Sequence, residues 1–171
     1  MISQVKKILL GITTLICVVA QGQGKFAGTF KNLIGKAYAN DNHTSWTSSG
    51  YKFVEGSLLS QSVSAGDTAD FLINVYQKAN TLVAIFIHRE QQSMPYHILD
   101  VITINNAQRS WKFKTVDCRN GQDPSTNIIA LVQTLKPGSN KVLKAWRADM
   151  DKIRFESMPI KLVHCEGEER D

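Results

Sequence analysis

The sequence predicts an α+β domain, with a mainly antiparallel sheet, one short helix over about residues 124–136 and one disulfide. An all-β barrel or sandwich is the alternative. Three observations lead there. Short runs rich in β-branched and aromatic residues recur between turn signals from Tyr51 onward. One segment among them has helical spacing and a helix-start signal. Two cysteines, Cys118 and Cys165, fall within this part of the chain.

Tyr51 to Glu55 and Leu58 to Val63 read as short strands on either side of Gly56. Ala69 to Tyr76 and Thr81 to His88 are strand runs joined by a turn at Lys78-Ala79-Asn80. Both arms are apolar on two faces, the pattern of central strands covered on each side. His97 to Ile104 is a further run. Trp111 to Asp117 alternates, placing Trp111 and Phe113 toward the core and Lys112 and Lys114 toward water. Val142 to Arg147 and Ile153 to Glu156 are predicted to form a hairpin across Ala148-Asp149-Met150-Asp151, and Ile160 to His164 is the last strand. The helix is predicted from Asp123-Pro124 as N-cap and first helical residue. Ile128, Leu131, Val132 and Leu135 follow at i, i+3, i+4 and i+7, and Pro137-Gly138 ends the segment.

The N-terminal region has a different character. Lys6 and Lys7 precede an apolar run of 13 residues, Ile8 to Ala20, closed by Val18-Val19-Ala20. A helix crossing a bilayer needs roughly 20 residues, so the order of charge, apolar run and small residues predicts a cleavable export signal, residues 1–20. A second small-residue site, Ala37-Tyr38-Ala39, would extend the removed segment to 39. Residues 21–49 then form a basic amphipathic arm and a polar lead-in, and 50–171 a single β-rich domain. In the arm, Phe26, Phe30, Leu33, Ile34 and Ala37 share one helical face, with Lys25, Lys31 and Lys36 as its charges. If retained, that arm is a means of membrane-surface contact. Residues 40–50 read as exposed, and Asn42-His43-Thr44 within them is a glycosylation sequon. The predicted location is extracytoplasmic, periplasmic or secreted.

Of 20 Lys and Arg, Lys6, Lys7, Lys25, Lys31 and Lys36 precede Asn40, which leaves 15 against 15 acids in the rest. The domain is neutral, and a nucleic-acid partner is disfavoured because such binders concentrate positive charge on one patch. With Cys17 inside the signal, Cys118 and Cys165 are expected to pair in an oxidising compartment. Each cysteine shares parity with the water-facing lysine of its own strand, which predicts a bridge at the sheet rim.

Chemistry is sparse in the sequence. It has no G-x-S-x-G elbow, phosphate loop, dinucleotide fingerprint, H-E-x-x-H or C-x-x-C, and no cofactor or metal site is expected. Asp117 to Asp123 lacks the alternating acids of a calcium loop. The catalytic candidates are His88, His97 and Asp100, a carboxylate-oriented histidine base in a small hydrolase. Phe71, Phe86, Trp111, Phe113, Trp146 and Phe155 are the candidates for lining an apolar-ligand pocket, with ordinary core as the simpler assignment. The leading expectation is a non-catalytic module that binds a protein or an envelope component.

The ending Leu143 to Asp149, Arg154-Phe155-Glu156 and Val163-His164-Cys165 resembles the tails of short exported proteins of unknown function common in cyanobacteria. The resemblance covers the last third of the chain and implies no activity, ligand or catalytic residue.

Overall fold

The computed structural model describes residues 30–38, 46–47, 49–60, 70–89, 95–115, 117–121 and 127–165. The predicted signal, the sequon and the Asp123-Pro124 helix start lie outside these residues. Eleven strands are described, all paired antiparallel. They are β1 (Ala37–Tyr38), β2 (Lys52–Ser60), β3 (Asp70–Lys78), β4 (Thr81–Arg89), β5 (Tyr96–Ile104), β6 (Trp111–Lys114), β7 (Cys118–Asn120), β8 (Ile128–Lys136), β9 (Ser139–Asp149), β10 (Arg154–Met158) and β11 (Val163–Cys165). The first sheet runs β1-β5-β4-β3-β2 and the second β10-β9-β8-β6, while β11 and β7 form a separate ribbon.

The mainly antiparallel architecture agrees with the sequence, and the helix does not. Residues 128–136 are strand β8, and among the described residues no helix reaches seven residues. Every residue from Ile128 to Val132 is buried, because β8 is covered on both faces. Ile129 and Leu131 enter the core between the sheets, while Ile128, Ala130 and Val132 face the ribbon. A continuous apolar run satisfies helical and extended spacing alike. The β-branched Ile128, Ile129, Val132 and Thr134 favour the pleated conformation, and Leu135, the last residue of the helical pattern, is exposed.

The turns follow local chemistry. Ala79-Asn80 links β3 to β4 with Lys78 opposite Thr81, as predicted. Pro137-Gly138 closes the β8–β9 hairpin, with Gly138 at a positive φ of 74°. The predicted β9–β10 hairpin forms, pairing Arg147 with Glu156. Asp149 Oδ1 accepts the amides of Asp151 and Lys152 to hold its turn. Gly56, by contrast, interrupts nothing: β2 runs through it as one strand. A Cβ there would lie 2.8 Å from Asn74 Oδ1 and 3.2 Å from the Phe53 ring, so the glycine leaves room for these side chains to close over the strand.

Four layers result. Leu59, Ile73, Val75, Leu82, Ala84 and Phe86 of the first sheet meet Phe113, Ile129, Leu131 and Ala148 of the second to make the main core. On the outer face of the first sheet, Tyr76, Val83, Ile85, Ile98 and Val101 are covered by Phe30, Leu33 and Trp46. Residues 82–87 of β4 are therefore buried without alternation, as its doubly apolar run predicts. Trp46, in the stretch read as exposed, is only 4% exposed.

The fourth layer is the β7–β11 ribbon, whose Cys118 and Val163 pack on Ile128, Ala130, Val132 and Ala145. The Trp111 strand does not continue to Cys118. Asp117, at a φ of 64°, turns the chain between β6 and β7. The bridge is consequently part of a buried cluster rather than a rim feature. Lys114 does point away from the core, but the covering ribbon leaves it 8% exposed instead of facing water. Similarly, Ile160–Leu162 is a 3-10 turn, and of the predicted last strand only Val163 and His164 are extended, within β11.

Candidate functional site

His88 and His97 stand directly opposite each other on β4 and β5. Such partners share a face with Cβ atoms about 5 Å apart, so the structure does bring the two histidines together. Phe71 stacks on His88, ring centroids 4.7 Å apart. Both imidazoles are half-buried.

Asp100 serves another purpose. A bulge sets Asp100 opposite Phe86 and Ile98 opposite Ile87, so Leu99 is the extra residue of β5. Asp100 Oδ1 accepts the Val101 amide at 2.7 Å, and Oδ2 accepts the Phe155 amide, also at 2.7 Å. Its carboxylate thus fastens β5 of the first sheet to β10 of the second. A general base orienter must hydrogen-bond its histidine, and both oxygens here already have backbone partners.

Glu55 does the same work on the opposite flank, a role that no sequence pattern signals. It accepts from both the amide and, at 2.9 Å, the hydroxyl of Thr115. One carboxylate on β2 and one on β5 therefore stitch the sheets at their two sides. We expect Asp100→Ala to lower stability by about 1.5–3 kcal/mol, the range for a hydrogen bond to a charged group. Asp100→Asn, which keeps one acceptor, should lose less. Urea unfolding of the three proteins measures this, and an Asp100→Ala midpoint equal to wild type would refute the strap.

The thiols are joined. Cys118 and Cys165 form a disulfide across the β7–β11 pair, with Cα atoms 4.0 Å apart. It is compatible with an extracytoplasmic protein. The six aromatics considered for a pocket lie in or against the main core cluster. Phe86 lies 5.7 Å from Phe71 and 5.5 Å from Phe155, and Phe113 lies 6.1 Å from Trp146, centroid to centroid.

An open cleft of about 340 Å³ lies at the β8–β9 hairpin, bordered by Lys112, Thr134, Lys136 and Asn140. On the β9–β10 hairpin, Lys152 and Arg154 both contact Glu156, at 2.8 and 2.9 Å. Hydrogen bonds from Lys152 and then Arg154 hold the Glu156 carboxyl down at about 2. Exposed pairs of this kind contribute little stability, but they put charge on β10, one edge of the second sheet.

The sheet edges differ in how they are guarded. Short strands, charges and covering segments are the usual means of preventing an edge from pairing with another chain. β10 carries Arg154 and Glu156, β6 has four residues, and β5 is met by β1. β2 is nine residues long, and among the described residues no strand pairs with its outer edge. It exposes Phe53 by 44%, Val54 by 45% and Leu58 by 54%.

The described residues form a layered antiparallel β protein in which no described strand pairs with the outer edge of β2. Among the described residues no helix is long and apolar enough to cross a membrane, and no three His, Cys, Asp or Glu side chains group to hold a metal ion. Comparison of the chain with protein-family models, curated proteins and solved structures gives no match.

Proposed function

We propose that this chain is an exported, non-catalytic module that binds another protein by adding an extended segment of it beside β2. The observation that carries the reading is that, among the described residues, no strand pairs with the outer edge of β2, along which Val54 and Leu58 are exposed. Main-chain groups along such an edge supply affinity to an added strand, and side chains alternating along it supply selectivity. The partner segment is accordingly extended and apolar at alternate positions. Support also comes from contrast: among the described residues the edges at β10, β6 and β5 are charged, short or covered.

A photocrosslinking amino acid at position 54 or 58, introduced into the exported protein in its own cells, tests the proposal. We expect a heterologous crosslink from both positions and none from position 141 on β9. Leu58→Lys should abolish the crosslink from 54 while changing stability by no more than about 0.5 kcal/mol, as exposed substitutions do. Crosslinking equal from all three positions, or persisting in Leu58→Lys, would overturn the reading. A product at twice the chain mass would overturn it too, by making the occupant a second copy.

A further inference from the structure

Export processing at Ala37-Tyr38-Ala39 would remove a segment that is built into the domain. Phe30 and Leu33 are buried with Tyr76, Val83, Ile85, Ile98 and Val101 of the first sheet. The Phe30 ring stacks on Trp46 at 4.6 Å and meets Tyr51 edge-on at 4.8 Å, and Trp46 stacks on Tyr76 at 5.4 Å. Together these rings form a continuous aromatic seam between the segment and β3.

The main chain is tied down as well. The Gly35 amide donates to Ile98 O at 2.8 Å, and the Ile98 amide donates to Lys36 O at 3.3 Å. Ala37 and Tyr38 then pair with His97 and Tyr96 of β5. Gly35 sits at a φ of 78°, which lets the chain swing from the Phe30–Leu33 turn into β1. Loss of the segment would open the edge of β5 and lay bare an apolar sheet face, a combination that promotes aggregation.

We infer that processing occurs after Val18-Val19-Ala20 and that Phe30 and Leu33 stay with the working domain, forming its outer layer with Trp46 and Tyr51. This goes beyond the binding reading and does not depend on it. The helical face expected of this segment does not form over the described residues: Phe30–Leu33 is a 3-10 turn, Ile34 is exposed, and Ala37 is exposed in β1. Phe30 and Leu33 face the protein, whereas Lys31 and Lys36 remain exposed.

Intact mass of the exported protein provides the test, read for wild type and for Ala20→Arg and Ala39→Arg. A mature chain beginning at Gln21 is expected from wild type and from Ala39→Arg, with Ala20→Arg left unprocessed. A product beginning at Asn40, an uncut wild type, or blocked processing in Ala39→Arg would overturn the inference. A second measurement addresses the layer itself. Phe30→Ala combined with Leu33→Ala should raise binding of a hydrophobic dye several-fold and lower Tm, and unchanged dye binding and Tm would overturn it.

Discussion

Replacing both Cys118 and Cys165 with alanine should lower stability by about 4 kcal/mol, and reduction of the wild-type protein should do the same. The bridge joins residues 47 apart in sequence. On the chain-entropy account, closing a loop of that length removes roughly 4 kcal/mol of freedom from the unfolded state. The native side adds a reason to expect the full effect. β7 and β11 are three residues each and, among the described residues, pair only with one another, and a lone two-stranded ribbon is marginal in water. The bridge holds that ribbon against Ile128, Ala130, Val132 and Ala145, so losing it also loosens the cover of the second sheet. Urea unfolding with and without reductant checks the size of the loss. A change below about 1 kcal/mol would mean that the ribbon is held by its own packing, well under the 2–5 kcal/mol usual for native bridges. The double substitution is preferable to a single one, since it leaves no buried lone thiol to exchange.

The disulfide was legible because only Cys118 and Cys165 follow the predicted export signal, so pairing needed no geometry. The β3–β4 turn and the β9–β10 hairpin were legible for a local reason: a polar or turn-forming link separated two runs of strand-forming residues. β8 was misread because five consecutive apolar residues fit either period, and burial on both faces is a property of the finished fold. The outer layer was harder still. Phe30 and Leu33 carry a helical pattern, but their partners Tyr76, Ile85 and Ile98 lie on distant strands. Trp46 sits in a polar stretch whose composition suggests exposure. At the candidate site, the sequence flagged Asp100 as unusual without revealing its purpose. The bulge that adds Leu99 to β5 and the approach of β10 decide where that carboxylate goes. Glu55 carried no signal at all, because its partner Thr115 is 60 residues away.

Phe86→Ala should cost about 3–5 kcal/mol, the range for removing a buried phenylalanine ring. Phe86 is fully buried on β4, the middle strand of the first sheet. Its ring meets Phe71 on β3 and Phe155 on β10, so its loss opens a cavity touching both sheets. Because both neighbouring strands are fixed by hydrogen-bonded ladders, the cavity should collapse only partly, placing the cost toward the upper end. Urea unfolding measures it, and a loss under about 2 kcal/mol would show that the sheets can close the gap. The position also allows a sharper test. Asp100 is the register partner of Phe86, and it holds the amide of the same Phe155 whose ring packs on Phe86. Ring contact and carboxylate strap therefore position one residue of β10 together. If so, Phe86→Ala and Asp100→Ala should be non-additive, with a coupling energy above about 0.5 kcal/mol, as found for residues sharing a partner. Strict additivity would mean that β10 keeps its place when either tie is cut. The strap and the core would then be independent ways of holding the two sheets.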